Sequence, residues 1–409
     1  MTNPTSTSRQ YAFIEGLRGL AACQVVLLHY CSVFFPLLAR VGAHQNVTGE
    51  ARLSHSPLFL LIDGYSAVYV FFVMSGFVLA GSFLHSAHAF YWLALKRFVR
   101  LYLPVLAAFV CAIFCYAIFL DERLAVAAIT HSDWLTRLAP KDLPWTFLLR
   151  DGLLNSMLMG YQGSSLFERF GAAPIWPALN APTWTLHVEF WGSLLVVALA
   201  VAYRHVPHYR LYLASAALFA LLGTSHYSLF VLGFLLYVQR DFFLQHSSGL
   251  KRASGMALLL LGLWICLDKD VVLLRKVGHT IDRLAYFHAQ SDFHWQSQVG
   301  ASLVFLGVML WLPLQRWLSA PLILWLGKRS FSVYLLHFPI LLSLVVLLFA
   351  RLLPHGYFTA VLLSSVLGIA LTLLAAHWFE RGIDRVAVRF SRQLMTPPSP
   401  VQVQSLPPR

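Results

Sequence analysis

Long apolar stretches separated by short polar loops recur along the whole chain. Several approach or exceed the roughly 20 residues that a helix needs to cross the hydrocarbon core of a bilayer. Others are shorter and would have to tilt or to thin the membrane locally. The predicted spans are residues 13–36, 65–84, 98–120, 183–203, 209–223, 226–240, 254–268, 299–314, 330–350 and 357–380. The pattern therefore predicts an all-α integral membrane protein, a bundle of about ten transmembrane helices.

The charges of the loops set the orientation of these helices. The further stretch 144–160 is also apolar, but an arginine, an aspartate and an asparagine interrupt it. If the N-terminus is cytoplasmic and this stretch does not cross, every inner loop carries Lys or Arg, as the positive-inside rule requires. We therefore predict that both termini are cytoplasmic and that 144–160 is a re-entrant or interfacial segment on the outer side.

One membrane domain is predicted, because the sequence shows no internal repeat and no separate soluble domain. Residues 1–10 would form a cytoplasmic N-terminal tail, residues 11–385 the transmembrane domain, and residues 386–409 a cytoplasmic C-terminal tail. The C-terminal tail is expected to be disordered, because its last part is rich in proline. The first apolar run contains Glu15 and Arg18, which argues against a cleavable signal peptide.

The composition also favours a membrane protein, and it argues against a nucleic-acid-binding protein and against a metal or redox site. Hydrophobic residues make up 58% of the chain and charged residues 11%, with a mean hydropathy of +0.68, whereas soluble domains carry about twice that charged fraction. The net charge of +13 is explained by basic loops beside a lipid bilayer, so no nucleic-acid partner is expected. The cysteines form no CxxC pair, so no metal or redox site is expected.

Arg18 and His29 lie in the first predicted span, where an ionisable side chain costs roughly 2.5–3.5 kcal/mol on insertion scales and so usually has a function. Arg18 and His29 are eleven residues apart, almost three whole turns, so both point to one face about 16 Å apart along the axis. An imidazole there is suited to act as a general base. The plainer interpretation is that His29 bonds a neighbouring helix and Arg18 reaches lipid phosphates.

Three further charged residues lie in or beside predicted spans. Arg97 and Arg100 are three residues apart and therefore neighbours on a helix surface. Their guanidinium groups suit the phosphates of a nucleotide-bearing donor such as coenzyme A, although a positive-inside anchor is equally simple. Glu189 follows Trp184, an interfacial aromatic, by about one turn. A carboxylate there needs a partner or a water-filled cavity.

Two weaker candidates for a functional role also lie inside predicted spans. Ser75 could be a nucleophile, but no GxSxG elbow surrounds it, and small residues at a helix contact explain it better. His337 is a second imidazole inside a predicted span. Taken alone, it is more simply explained by a structural role than by chemistry.

In chain order these segments resemble the acyltransferase-3 family of membrane acyltransferases. The family's boxes are an acidic-Gly-x-Arg-Gly stretch with a later histidine, a Phe-Phe-x-x-Ser-Gly-Phe run, an Arg-x-x-Arg pair, a Trp-(Ser/Thr)-Leu-x-x-Glu box and a Gly-x-x-Ser-(Tyr/Phe)-x-x-Tyr-Leu-x-His box. Their counterparts here are Glu15 to Gly19 with His29, Phe71 to Phe77, Arg97 with Arg100, Trp184 to Glu189, and Gly327 to His337. The family commonly has Asp where this chain has Glu15, which keeps the charge.

The resemblance implies an enzyme that moves an acyl group, usually acetyl, from cytoplasmic acyl-CoA to a hydroxyl of a carbohydrate or glycolipid. Acetyl-CoA would be a co-substrate, and no permanently bound cofactor is implied. A multi-pass protein of the bacterial inner membrane is also implied. Some members carry an extracytoplasmic esterase-like domain. This chain ends soon after its last predicted span, so a second transfer step would need a separate esterase-like partner.

Under this hypothesis each candidate residue has a role. Arg97 and Arg100 would hold the coenzyme A phosphates, and a neutral His29 would take the proton from the attacking hydroxyl. Arg18 would support the donor or stabilise developing negative charge, and Glu189 would orient the acceptor or pair with the imidazolium. The candidates for substrate or structural support are Glu15, Ser75, Trp184 and His337.

Two other classes of function stay open from the residues alone. A secondary transporter or flippase for a sugar-lipid would also bury His, Arg and Glu, although no inverted repeat is visible. A sensor that binds acyl-CoA without turnover is a weaker alternative. For the enzyme, direct transfer and an acyl-histidine intermediate are both compatible with the sequence.

Overall fold

The computed structural model describes residues 11–394, apart from 87, 119, 139–143, 177, 245–247, 269, 284 and 286–291. Within this part the regular structure is helical, and an isolated bridge between Tyr161 and Ala173 is the one extended pairing. The predicted all-α class is therefore confirmed. The predicted N-terminal tail and the proline-rich end of the chain lie outside the described residues.

The longer helices, labelled in chain order, form the bundle. They are α1 (Ala12–Phe34), α2 (Gly64–Leu84), α3 (Phe90–Ile118), α4 (Trp184–His205), α5 (His208–Leu222), α6 (Ser228–Val238), α7 (Gly249–Leu267), α8 (Asp292–Leu310), α9 (Pro321–Ile340), α10 (Tyr357–Phe379) and α11 (Arg385–Gln393). Shorter helical segments between them are Glu50–Ser54, Pro57–Leu61, Leu120–Thr130, Asp133–Arg137, Trp145–Arg150, Asp151–Met159, Glu168–Phe170, Ala181–Thr183, Arg240–Leu244, Val272–Asp282, Leu312–Leu318, Leu341–Val345, Val346–Leu352, Leu353–His355 and Glu380–Asp384.

Several of these helices are long and apolar enough to cross a membrane, so the protein is a multi-pass membrane protein. Among the described residues there are seven such segments, or eight if the pair His294–Leu310 and Leu312–Leu318, bent by 95°, counts as one span. The predicted number of about ten exceeds this. The predicted spans 209–223 and 226–240 fall on α5 and α6, which have 15 and 11 residues and fall short of a full crossing.

Two predicted boundaries were wrong. Helix α3 begins at Phe90, eight residues before the predicted span, so Arg97 and Arg100 lie inside the helix rather than in a loop leading to it. The predicted C-terminal tail is also partly ordered, because α11 occupies residues 385–393. Ala387 and Ser391 of α11 are four residues apart, both buried, and an amphipathic helix of this kind is held by the face that it buries.

Close packing of α1 against α9 places the first and fifth sequence boxes side by side. A Cβ added at Gly19 would lie 2.7 Å from the backbone nitrogen of Gly327, and one at Gly16 would lie 1.9 Å from the carbonyl oxygen of Leu318. Only glycine permits so close an approach of two backbones. Arg18, between these two glycines, is therefore brought against the start of α9.

The interrupted stretch 144–160 forms two short helical segments and is not among the candidate spans. It packs on α4, where the Trp191 indole N–H donates to the carbonyl of Leu158 (2.9 Å). Asp151 in this stretch accepts hydrogen bonds from the Tyr161 hydroxyl (2.7 Å) and the Leu179 backbone N–H (3.2 Å). Burial raises the pKa of Asp151 to about 6, although these hydrogen bonds oppose the rise.

The start of α4 is packed against its neighbours. Thr183 and Thr185 are buried, and Trp184 between them is half-buried. The candidate span that contains α4 begins at Ala181, close to the predicted start at residue 183. Glu189, about one turn further along α4, contacts Ser75 of α2 and Arg97 of α3.

Candidate active site

A cavity of about 140 Å³ lies between α1, α2, α3, α4 and α9. Its deeper wall includes Phe71, Phe72 and Tyr334, whereas its other walls carry charge. The ionisable residues that line it, apart from that tyrosine, are Arg18, Arg97, Arg100, Glu189, Lys328 and Asp384. Because charged side chains within a membrane bundle need partners or a wet cavity, this cavity is the first candidate for a ligand site.

A buried ion pair crosses this charged cavity. An Nη2 hydrogen of Arg97 is donated to Oε1 of Glu189, and the Ser75 hydroxyl donates to the same oxygen at 3.0 Å. Arg97 is 7% exposed, and its Nε has no hydrogen-bond partner in the described part of the chain. Glu189 thus contacts Arg97 and Ser75 rather than His29. Ser75 acts here as a hydrogen-bond donor to a carboxylate.

Arg18 is fixed to the start of α9 by hydrogen bonds. Its Nε donates to Oγ of Ser330 at 2.9 Å, and its Nη2 donates to the carbonyl of Gly327 at 3.1 Å. The Glu15 carboxylate lies 3.7 Å from the same Nη2. The guanidinium is therefore oriented by protein groups, and it faces the charged cavity instead of extending along the helix to lipid phosphates.

Two histidine rings stack on each other further along the same pair of helices. Nδ1 of His29 lies 2.9 Å from Nε2 of His337, and the ring centroids are 5.1 Å apart. Nδ1 of His337 lies 2.7 Å from the carbonyl oxygen of Tyr334. The prediction that Arg18 and His29 share one face of α1 is confirmed, because both contact α9.

The tautomers of the two neutral rings follow from these contacts. A carbonyl oxygen only accepts, so Nδ1 of His337 must carry the hydrogen and Nε2 of His337 must accept. Nδ1 of His29 must then donate to that acceptor. The Nε2 atom of His29 is consequently left with its lone pair, since the hydrogen bond that the His29 ring makes to the described residues is that of Nδ1.

Aromatic side chains surround the His29 ring. Trp134 stacks on it with ring centroids 5.6 Å apart and an interplanar angle of 21°, and Phe338 meets it edge-on at 5.3 Å. His29 is partly exposed, whereas His337 is fully buried. The contacts with Trp134, Phe338 and His337 therefore hold the ring in one orientation.

Comparison with known proteins identifies the family. A family model described as an acyltransferase domain, that of acyltransferase-3, matches residues 11–377. The chain belongs to the acyltransferase-3 family. The chain is also similar to the O-acetyltransferase PaAT-1 of Phomopsis amygdali, with 26% identity over 214 residues, or 48% of this chain and 41% of the relative. It thus spans less than half of that relative's length. No solved structure matches the chain.

The acyltransferase-3 boxes recognised in the sequence are brought together in two neighbouring layers. Arg18, Ser75, Arg97, Arg100 and Glu189 all line the charged cavity. The histidine pair forms the second layer and does not line that cavity. Tyr334 joins the layers, because its ring lines the cavity while its carbonyl holds His337.

The structure also shows where the supporting residues predicted for this acyltransferase domain lie. Glu15 lines an adjoining cavity of about 290 Å³. Trp184 does not line the charged cavity; it packs edge-on against Phe72, with centroids 6.2 Å apart, and beside His226 at 5.4 Å. Its role is thus to position α4 against α2.

Sequence reasoning missed residues on both sides of the histidine pair. Trp134 lies in the short helix Asp133–Arg137, within a stretch that the sequence predicted as a long loop and where no periodicity marks it. Asp384 lies after the last predicted span, and Lys328 was grouped only as a loop cation. Of these three residues, only Lys328 could have been suggested from the sequence, because it lies in the fifth family box, directly after Gly327. In the described part of the chain, no group of three or more His, Cys, Asp or Glu residues could hold a metal ion.

Proposed function

We propose that this protein transfers an acyl group, most simply acetyl, from acyl-CoA to a hydroxyl of a carbohydrate or glycolipid, with His29 as the general base. The family supports acyl transfer, and the printed name of the similar O-acetyltransferase supports a hydroxyl as acceptor. The observation that carries the role of His29 is its hydrogen bond to His337, which leaves Nε2 of His29 free to accept a proton.

In the proposed reaction the acceptor hydroxyl donates its proton to Nε2 of His29 as its oxygen attacks the thioester carbonyl. A C–O bond forms, the C–S bond breaks, and the proton passes from the imidazolium to the departing thiolate of coenzyme A. His337 accepts from Nδ1 of His29 throughout and so keeps the ring oriented. Arg18 lies on the same helix as His29, and its hydrogen bonds to Ser330 and Gly327 hold its cationic group in place.

The charge of the cavity supports an anionic donor. Four cationic side chains line it, and its two carboxylates belong to Glu189 and Asp384, which leaves a surplus of positive charge. Guanidinium groups bind phosphate oxygens through paired hydrogen bonds. Arg100 would provide such bonds, and the unpartnered Nε of Arg97 offers one more donor. The apolar wall at Phe71 and Phe72 suits the acyl and pantetheine part.

The proposed topology has the donor enter at the end of the bundle where α1 begins, which the loop charges predict to be cytoplasmic. The acceptor would approach His29 from the opposite end, beside Trp134. The protein would then reside in a bacterial inner membrane. A separate esterase-like partner is part of the proposal for any further transfer beyond that membrane.

The test is acetyl transfer by the purified full chain in lipid nanodiscs, with radiolabelled acetyl-CoA and membrane glycolipid acceptors. Replacing His29 with Ala should lower kcat by about 10²- to 10⁴-fold, the usual loss when a general base is removed. His205→Ala is a matched control, because this exposed histidine lies at the far end of α4. A correctly folded His29→Ala protein with full activity would refute the role. In a parallel assay with sealed proteoliposomes, label that moves across the bilayer without reaching glycan would favour a carrier.

A further inference from the structure

Three neighbouring cavities share Arg97 and Arg100 and differ in charge. The charged cavity described above also has the carboxylates of Glu189 and Asp384, and the adjoining one has those of Glu15 and Glu189. The third, of about 120 Å³, is lined by no carboxylate of the described residues. Because they have these two arginines in common, the three cavities form neighbouring compartments of one cleft.

The third cavity lies between the end of α2, the start of α3 and the C-terminal helix α11. Its polar wall consists of Lys96, Arg97, Arg100 and Arg392 together with the hydroxyl-bearing residues Ser82 and Ser391. Four cationic side chains thus converge on one small space. Arg97 is paired with Glu189 outside this cavity, but the like charges around the cavity still repel each other, so an anion lying among them would stabilise the arrangement.

Helix α11 is built to hold its part of this wall in place. Ser391 is buried, and its hydroxyl donates to the carbonyl of Val388 at 2.9 Å. Arg392 is the next residue and lines the cavity. The helix starts at Arg385, beyond residue 377 where the family match ends. The part of the wall that α11 provides therefore lies outside the family match, whereas Arg97 and Arg100 belong to a family box.

The structure assigns this third cavity as a binding site for a phosphate monoester, with Lys96 and Arg392 as its new ligands. Under the proposed function, on which this source rests, the phosphate is the one on the ribose of coenzyme A. A dianionic group is placed best in the compartment without carboxylates, while the rest of the donor extends past Arg97 and Arg100 toward the apolar wall. A lipid phosphate has the same chemistry and is the competing source.

Binding measurements on the full chain in nanodiscs test the assignment without requiring turnover. The probes are adenosine 3′,5′-bisphosphate and adenosine 5′-phosphate, which differ only in the ribose 3′-phosphate. We expect the bisphosphate to bind about tenfold more tightly, the gain typical of charge-assisted hydrogen bonds. Lys96→Gln and Arg392→Gln should each remove most of this preference. Arg389→Gln, the same change on an exposed residue of α11 that does not line the cavity, should keep it.

The outcomes separate the two sources and the two proposals. Equal affinity for both nucleotides in the unmodified protein, or a preference that survives both substitutions, would overturn the assignment. The assignment would also be overturned if the protein showed no nucleotide preference but was thermally stabilised by phosphatidic acid vesicles in a way that depends on Arg392. The phosphate bound at this site would then be that of a lipid. Acetyl transfer is measured separately, so an inactive protein that still prefers the bisphosphate would contradict the proposed function alone.

Discussion

The charged cavity and the histidine pair hold polar groups inside the same bundle in different ways. In the cavity, Glu189 is stabilised by the opposite charge of Arg97 and by the Ser75 hydroxyl. In the histidine pair, no formal charge is needed, because the Tyr334 carbonyl fixes His337 and His337 fixes His29. The first arrangement depends on ion pairing, and the second depends on a chain of neutral hydrogen bonds.

The difference matters for what each region can do. An ion pair removed from water must keep both partners, since a lone buried charge is costly. A neutral imidazole chain can gain and lose one proton with little rearrangement, because each ring keeps its partner. The histidine pair is accordingly suited to proton transfer, and the cavity is suited to hold an anionic ligand at a fixed place.

The largest effect on stability is expected from breaking the ion pair. Glu189→Gln keeps the shape and one acceptor oxygen but leaves the Arg97 charge without its counter-charge. Removing one partner of a buried pair typically costs about 3–5 kcal/mol. The free energy of unfolding, measured by SDS titration in mixed micelles, should fall by that amount.

The double variant Arg97→Gln with Glu189→Gln provides the control, because it removes both charges and keeps a hydrogen-bonding pair of similar size. It should regain most of the lost stability. If Glu189→Gln alone were as stable as the unmodified protein, the contrast between a charge-dependent and a neutral region would be wrong.

A smaller effect, and one on rate rather than stability, is expected at the histidine pair. His337→Phe keeps an aromatic ring beside His29 but removes the acceptor for its Nδ1 hydrogen. Misplacing a reacting group in this way can cost about 10²-fold. We expect kcat to fall by about that factor while KM for the donor changes little, because the cavity residues are untouched.

A rescue variant separates positioning from packing at position 337. His337→Gln offers a side-chain oxygen that can accept from Nδ1 of His29, so it should recover about tenfold of the lost kcat. Equal activity of the Phe and Gln variants in steady-state acetyl transfer would show that acceptance of the hydrogen bond is not the role of His337.

Part of this arrangement follows from the sequence because it is local to one helix. The spacing of Arg18 and His29 places both on one face of α1, and the structure shows both against α9. The family boxes also identified most residues of the charged cavity. Helical periodicity does not reveal which residue of another helix lies opposite, so Glu189 was assigned to the acceptor although it contacts Arg97.

Other features depend on long-range packing and could not be read from local patterns. The helical segment Asp151–Met159 packs against α4, where the carbonyl of Leu158 accepts from Trp191. Helix α11 was taken for disordered tail because proline-rich sequence follows it, yet its buried residues Ala387 and Ser391 hold it on the bundle. Trp134 reaches His29 from the short helix Asp133–Arg137, and the spacing of residues within one helix does not indicate such a contact between helices.

The smallest effect sharpens the comparison by removing one neutral hydrogen-bond donor within the charged region. Ser75→Ala removes the hydroxyl donor to Glu189 but leaves the ion pair with Arg97 in place. A hydrogen bond to a charged group contributes about 1.5–3 kcal/mol, and an ordinary one about 1. Because Arg97 still satisfies the same oxygen, the loss in free energy of unfolding should lie near the lower value. A loss as large as that of Glu189→Gln would mean that the hydroxyl, and not the guanidinium, holds the carboxylate, and the cavity would then resemble the histidine pair.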